Sequence, residues 1–252
     1  MDTATHIDAL QRDGDLLAAA AERVGLDAPV PPCPGWHVRD VVKHTSHVHR
    51  WATTQVAEAR AEAGGGGSEE EWLRSGPADD TLLEWFREGH RALVGTLRDA
   101  DPDLSCWTFL EAPSPLAFWA RRQAHETAIH RSDAESAGAQ RTPFPPAFAA
   151  DGIDELVMGF APTPRARVPS ETRRVLQVSP TDVGDAWVVG MGPDGIDAER
   201  GRADHDCLLE GDVSDLYLLL WNRIDASAPS IRATGSLELL ELWEQSLKIT
   251  WR

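Results

Sequence analysis

Glu126 and His130 stand four residues apart in Arg121-Arg122-Gln123-Ala124-His125-Glu126-Thr127-Ala128-Ile129-His130-Arg131, and no other feature of the chain restricts its fold as much. On a helix, side chains at that spacing share one face, so a carboxylate and an imidazole can reach the same point in space. An isolated pair of this kind usually decorates a solvated helix face. A second motif gives it weight. Trp36-His37-Val38-Arg39-Asp40-Val41-Val42-Lys43-His44-Thr45-Ser46-His47-Val48-His49-Arg50-Trp51 reads as a histidine-rich helix, able to donate a third ligand. A fold that joins the two must lay distant segments side by side. Three nitrogen and oxygen donors with an open position describe a catalytic zinc site rather than a closed structural one.

Helical periodicity and chain breakers supply the frame for such a meeting. Apolar positions at Ile7, Leu10, Leu16, Leu17 and Ala20 predict a first helix from about Thr5 to Val24, stopped by Gly25. Pro31-Pro32-Cys33-Pro34-Gly35 is a rigid connector to a second helix, about residues 38 to 62, which runs into Gly64-Gly65-Gly66-Gly67-Ser68. A third helix, about Thr81 to Ala100, has Leu82, Trp85, Phe86, Leu93 and Leu97 as its inward stripe, and Pro113-Ser114-Pro115 opens a fourth, about residues 116 to 138. Two metal-bearing members among four helices match a bundle whose site is built from facing helices.

The text changes at the stiff linker Thr142-Pro143-Phe144-Pro145-Pro146. After a short helix near 147 to 160, Arg173–Ser179 and Asp185–Met191 read as a hairpin, with further strands at Asp204–Leu209 and Ser230–Ala233. Helices from Ser214 to Arg223 and from Leu237 to Leu247 follow, capped by Asp212 or Ser214 and by Ser236. The fold class expected is α+β, mainly α, with a four-helix bundle over residues 1–145 and a small α+β domain over residues 146–252.

Cys33-Pro34-Gly35-Trp36, then Val38-Arg39-Asp40-Val41-Val42 and His44, followed by His125-Glu126-Thr127-Ala128-Ile129-His130-Arg131 and Asp133, resembles the mycothiol-dependent maleylpyruvate isomerase family. The resemblance implies a DinB-like N-terminal bundle in which His44, Glu126 and His130 hold a divalent metal, most often zinc, and a sterol-carrier-like C-terminal domain. It also implies mycothiol as cofactor, a small thiol whose sulfur adds to the cis double bond of a maleylpyruvate-like electrophile, allows rotation and leaves. A related S-transfer fits equally. His44 is singled out by geometry too, because Val41, His44, Val48 and Trp51 fall on one inward stripe. His47 and His49 lie off it and read as surface histidines, with His47 open as a supporting or substitute ligand. His125 faces away from Glu126, toward a supporting role or solvent. Trp36 and Trp51 are candidates for walling the pocket. Ser132 and Thr45 depart from the family pattern and could reshape that pocket.

Charge and cysteines narrow the class further. With 41 acidic against 24 Lys and Arg residues the net charge is −17, which repels phosphate backbones and argues against nucleic acid as a partner. Cys33, Cys106 and Cys207 form no close pair, which disfavours a disulfide framework. No apolar run is long enough to span a membrane and Met1–Asp8 has no leader character, so a cytoplasmic protein is expected. Arg165, Arg167, Arg173 and Arg174 concentrate positive charge that could clamp an anionic substrate, although surface arginines more often pair with nearby acids. The alternative to an enzyme is a non-catalytic bundle that binds a metal or small ligand in an interaction or regulatory role.

Overall fold

The computed structural model describes residues 1–64, 68–162 and 168–247. The described residues divide into two compact units, Met1–Thr142 and residues 143–247. The first holds helices α1 (Thr3–Val24), α2 (Val38–Ala57), α3 (Glu69–Arg74), α4 (Asp79–Asp99) and α5 (Pro115–Ser136). The long four form a bundle in which α1 packs on α5 and α4, and α2 packs on α4 and α5. Helices α2 and α5 are therefore neighbours, as a site shared between their two motifs would need.

Local chemistry sets the helix ends. Asp2 accepts the backbone N–H of Thr5 at 2.8 Å to start α1, and Gly25, at φ 84°, ends it. In α2 the Asp40 carboxylate accepts the N–H of His37 at 2.8 Å, half of a capping box. That helix stops at Ala57, short of the expected residue 62, because Ala59 turns to φ 47° and Arg60 N–H reverts to the carbonyl of Gln55. Ser114 caps α5 with Pro115 in its first turn. The core between these helices includes Leu17, Val38, Val41, Val42, Leu82 and Phe86. Trp85, expected on the inward stripe of α4, is only half-buried and carries Arg50 over its ring face at 3.8 Å.

The second unit begins with α6 (Pro146–Asp154), which runs on into a π-helical turn over Glu155–Phe160. Strands β1 (Arg174–Pro180), β2 (Trp187–Gly192), β3 (Gly195–Arg200), β4 (Cys207–Gly211) and β5 (Ile231–Gly235) make one sheet in the order β3-β2-β1-β4-β5. β1 runs antiparallel to β2, with Gln177 opposite Val188, and parallel to β4, with Leu176 opposite Cys207. Helices α7 (Val213–Leu220) and α8 (Glu238–Ser246) complete it. All eight residues of α7 are buried, and Phe144, Phe148 and Tyr217 interlock edge to face within this unit. Neither expected side-chain cap forms. Asp212 sits at the start of α7 without capping through its side chain, Ser214 Oγ instead accepts the N–H of Phe144, and Leu237, not Ser236, is the residue that opens α8. Among the described residues no helix is long and apolar enough to cross a membrane.

Candidate metal centre

The three residues expected to share an ion meet between α2 and α5. His44 Nε2 lies 3.2 Å from Glu126 Oε1, and His130 Nε2 lies 3.3 Å from that same oxygen. One ligand atom from each of the three falls within 4.8 Å of the others, and all three side chains are buried. Donors of a tetrahedral ion bound at about 2.1 Å stand about 3.4 Å apart, so this spacing fits a zinc-sized cation. The surroundings fit as well. His130 Nδ1 is 2.9 Å from Asp133 Oδ2, which fixes the ring and leaves Nε2 facing Glu126. Arg122 Nη2 approaches the second oxygen of Glu126 at 3.4 Å.

The electrostatics follow from this crowding. Burial opposes ionisation of Glu126, but hydrogen bonds from His130 and His44 outweigh it and hold the carboxyl well below the usual range. Burial likewise opposes charge on His130, yet Asp133 and Glu126 together push it up to about 9. Without a cation the cluster is thus a buried ion pair, with a proton on His130 where a metal can replace it.

Two indoles wall the centre. Trp36 stacks on His130 at 6.3 Å between ring centroids and lies 5.5 Å from His44, while Trp72 of α3 meets His44 edge-on at 5.9 Å. Trp36 was expected there. Trp51, the other candidate, packs on Trp119 and Trp107. Trp72 went unnoticed because it stands in a six-residue helix after a glycine run, too short to show a period.

The remaining histidines sort differently from expectation. His49 is fully buried, not on the surface, and its Nε2 lies 2.8 Å from Thr127 Oγ1 on α5. Burial, then the nearby His90 ring at 5.4 Å, hold its pKa well below the ordinary value. His90 is buried too and similarly depressed by burial. His47 is half-buried, stacks on Trp72 at 5.8 Å and meets Ser75 Oγ at 3.1 Å, so it touches a wall of the centre rather than the donors. His125 is buried and meets His6 edge-on at 6.0 Å. Arg173 pairs with Asp197 and Arg174 with Glu238, the ordinary fate of surface arginines, while Arg165 and Arg167 lie outside the described residues. Arg131 is buried against Asp13 and Glu135. Thr45 and Ser132, the departures from the family pattern, are both buried on the helices that carry the donors.

The model of the mycothiol maleylpyruvate isomerase N-terminal domain matches residues 7–135, and that of the MDMPI C-terminal domain matches residues 147–242. No curated protein sequence matches the chain. Among solved structures, a mutant of the mycothiol-dependent maleylpyruvate isomerase aligns with a TM-score of 0.65 at 10% identity, covering 100% of this chain and 97% of that one. The unsubstituted isomerase aligns with a TM-score of 0.64, also at 10% identity and with the same coverage. That likeness establishes the fold, and the two family domains together span most of the sequence. The chain belongs to the mycothiol-dependent maleylpyruvate isomerase family.

Proposed function

We propose that His44, Glu126 and His130 hold a divalent metal, zinc by preference, and that the protein is a mycothiol-using enzyme acting on a small, anionic electrophile. The observation that carries this reading is the convergence of three buried donors within 4.8 Å of one another, both imidazoles 3.2–3.3 Å from one Glu126 oxygen, with Asp133 beside His130. When bound, the ion supplies the positive charge that keeps a thiol deprotonated at neutral pH, and mycothiol supplies that thiol. The chain's own residues do the rest. Glu126 and the two imidazoles leave one coordination position open, and Trp36 and Trp72 exclude water from around it. Among the described residues none of the three cysteines belongs to this donor cluster, consistent with an external sulfur.

The reaction favoured is cis–trans isomerisation of a maleylpyruvate-like compound, with S-transfer to an electrophile as the second outcome. We further propose that the functional boundary lies at the proline-rich linker, so that residues 1–145 form the metal-binding domain and residues 146–252 its α+β companion. Elemental analysis of the purified protein and a thermal-shift titration with mycothiol test the reading. One equivalent of zinc, stabilisation by mycothiol and loss of both in His44→Ala, Glu126→Ala and His130→Ala are expected. Metal binding without any response to thiols would favour a non-catalytic bundle, and absence of metal would overturn the proposal.

A further inference from the structure

Gln123 is fully buried on α5, and neither its Nε2 nor its Oε1 has a hydrogen-bond partner. Buried polar atoms are almost always satisfied, and each exception calls for a physical reason. Among the described residues Gln123 is the side chain left with both a donor and an acceptor unmatched. Its position supplies the reason. It stands one turn before Glu126 and two before His130, at helical spacings of three and four that put all three on one face. Contacts of α2 with α5 bracket it: His44 to Glu126 and His49 to Thr127 on one side, Trp51 to Trp119 on the other.

We infer that Gln123 is a docking group for the ligand of the metal centre, and that this ligand is a small thiol carrying an amide. The inference rests on the metal and thiol reading above. A carboxamide presents an N–H donor beside a C=O acceptor, and a ligand that carries an amide brings a donor for the one and acceptors for the other. A dicarboxylate or keto acid offers acceptors alone and would leave Oε1 unmatched. An N-acylated cysteine, by contrast, carries its amide only a few bonds from its sulfur. Gln123 therefore selects the thiol cofactor rather than the electrophile, and acts on how the sulfur is oriented.

Calorimetric titration of the zinc-loaded full chain with N-acetylcysteine and with mercaptopropionate, which keeps sulfur and carboxylate but lacks the amide, provides the test. The native protein is expected to prefer N-acetylcysteine by about tenfold, the scale of one or two hydrogen bonds. Gln123→Met, close in length and without either polar end, is expected to erase that preference while zinc content and Tm hold or rise. Gln123→Leu serves as a second variant with the same expectation. An unchanged preference in both variants overturns the inference. So does a loss of zinc or a Tm lowered by several degrees, since Gln123 would then serve the fold through ordered water. If neither thiol binds the native zinc protein, the thiol reading itself fails, a result distinct from binding without an amide preference.

Discussion

His130 is gripped from two sides, by Glu126 at Nε2 and by Asp133 at Nδ1. Asp133→Asn keeps the shape but removes the charge that orients and enriches the ring, and a 10–100-fold loss of zinc affinity is expected, roughly the cost of such supporting carboxylates, measurable by competition with a chelator. The raised pKa of His130 gives a second expectation. A proton must leave before a metal can enter, so apparent zinc affinity should climb about tenfold per pH unit from neutrality and level off near pH 9. In the metal-free protein the same group stabilises the fold fully below its unfolded pKa, and that contribution is lost as pH rises through about 9. His49 and His90 act oppositely, because both are held neutral by burial. Their share of stability is present above the ordinary histidine pKa and declines as pH falls below it, which acid titration by circular dichroism would register. The meeting of His44, Glu126 and His130 was legible because i,i+4 spacing and an inward stripe are local facts. His49 was not, because a bundle helix touches two neighbours. Its buried arc is wider than a single stripe, and α2 lies against both α4 and α5.

Helix α5 has no wet side: from Leu116 to Glu135 only Ala117 and Arg121 are not fully buried. Several of its polar residues are consequently tied to specific partners, Arg131 most of all. That guanidinium reaches Asp13 on α1 at 2.9 Å and Glu135 at 2.8 Å, with all three side chains buried. Arg131→Met would remove the buried cation between two carboxylates, leaving Asp13 only Arg12 and Glu135 only Thr142 among the partners described, and is expected to cost about 3 kcal/mol, read by urea denaturation. Gly14 on α1 has a comparable packing role without charge. A Cβ there would strike the His90 ring, so Gly14→Ala should destabilise by about 1–3 kcal/mol despite its better helix propensity. The sequence hid one strand. β3 pairs with β2 at the sheet edge, yet Ile196 is its sole buried side chain, and Asp197, Glu199 and Arg200 read as loop. Edge strands need little apolar surface, so the alternation that betrays inner strands is missing.

At the scale of the molecule, every donor of the centre, its two indole walls and Asp133 belong to the unit Met1–Thr142, and the sheet belongs to the other. A ligand that binds only one folded unit stabilises that unit alone, by about 4 kcal/mol at a thousandfold excess over Kd. Differential scanning calorimetry should thus show zinc raising one transition and leaving a second in place. A single transition shifted whole would refute independent units. The mainly helical bundle followed by a small sheet domain was readable from periodicity and from the proline-rich linker. The sheet order was not, since the parallel pairing of β1 with β4 skips an intervening hairpin that only tertiary packing fixes. Because the bundle is contiguous in the chain, its last donor leaves the ribosome while the strands are still untranslated. Loading of the proposed zinc site would then depend on the free metal that a nascent polypeptide meets during synthesis, and starvation for zinc at that moment should leave a population born without it.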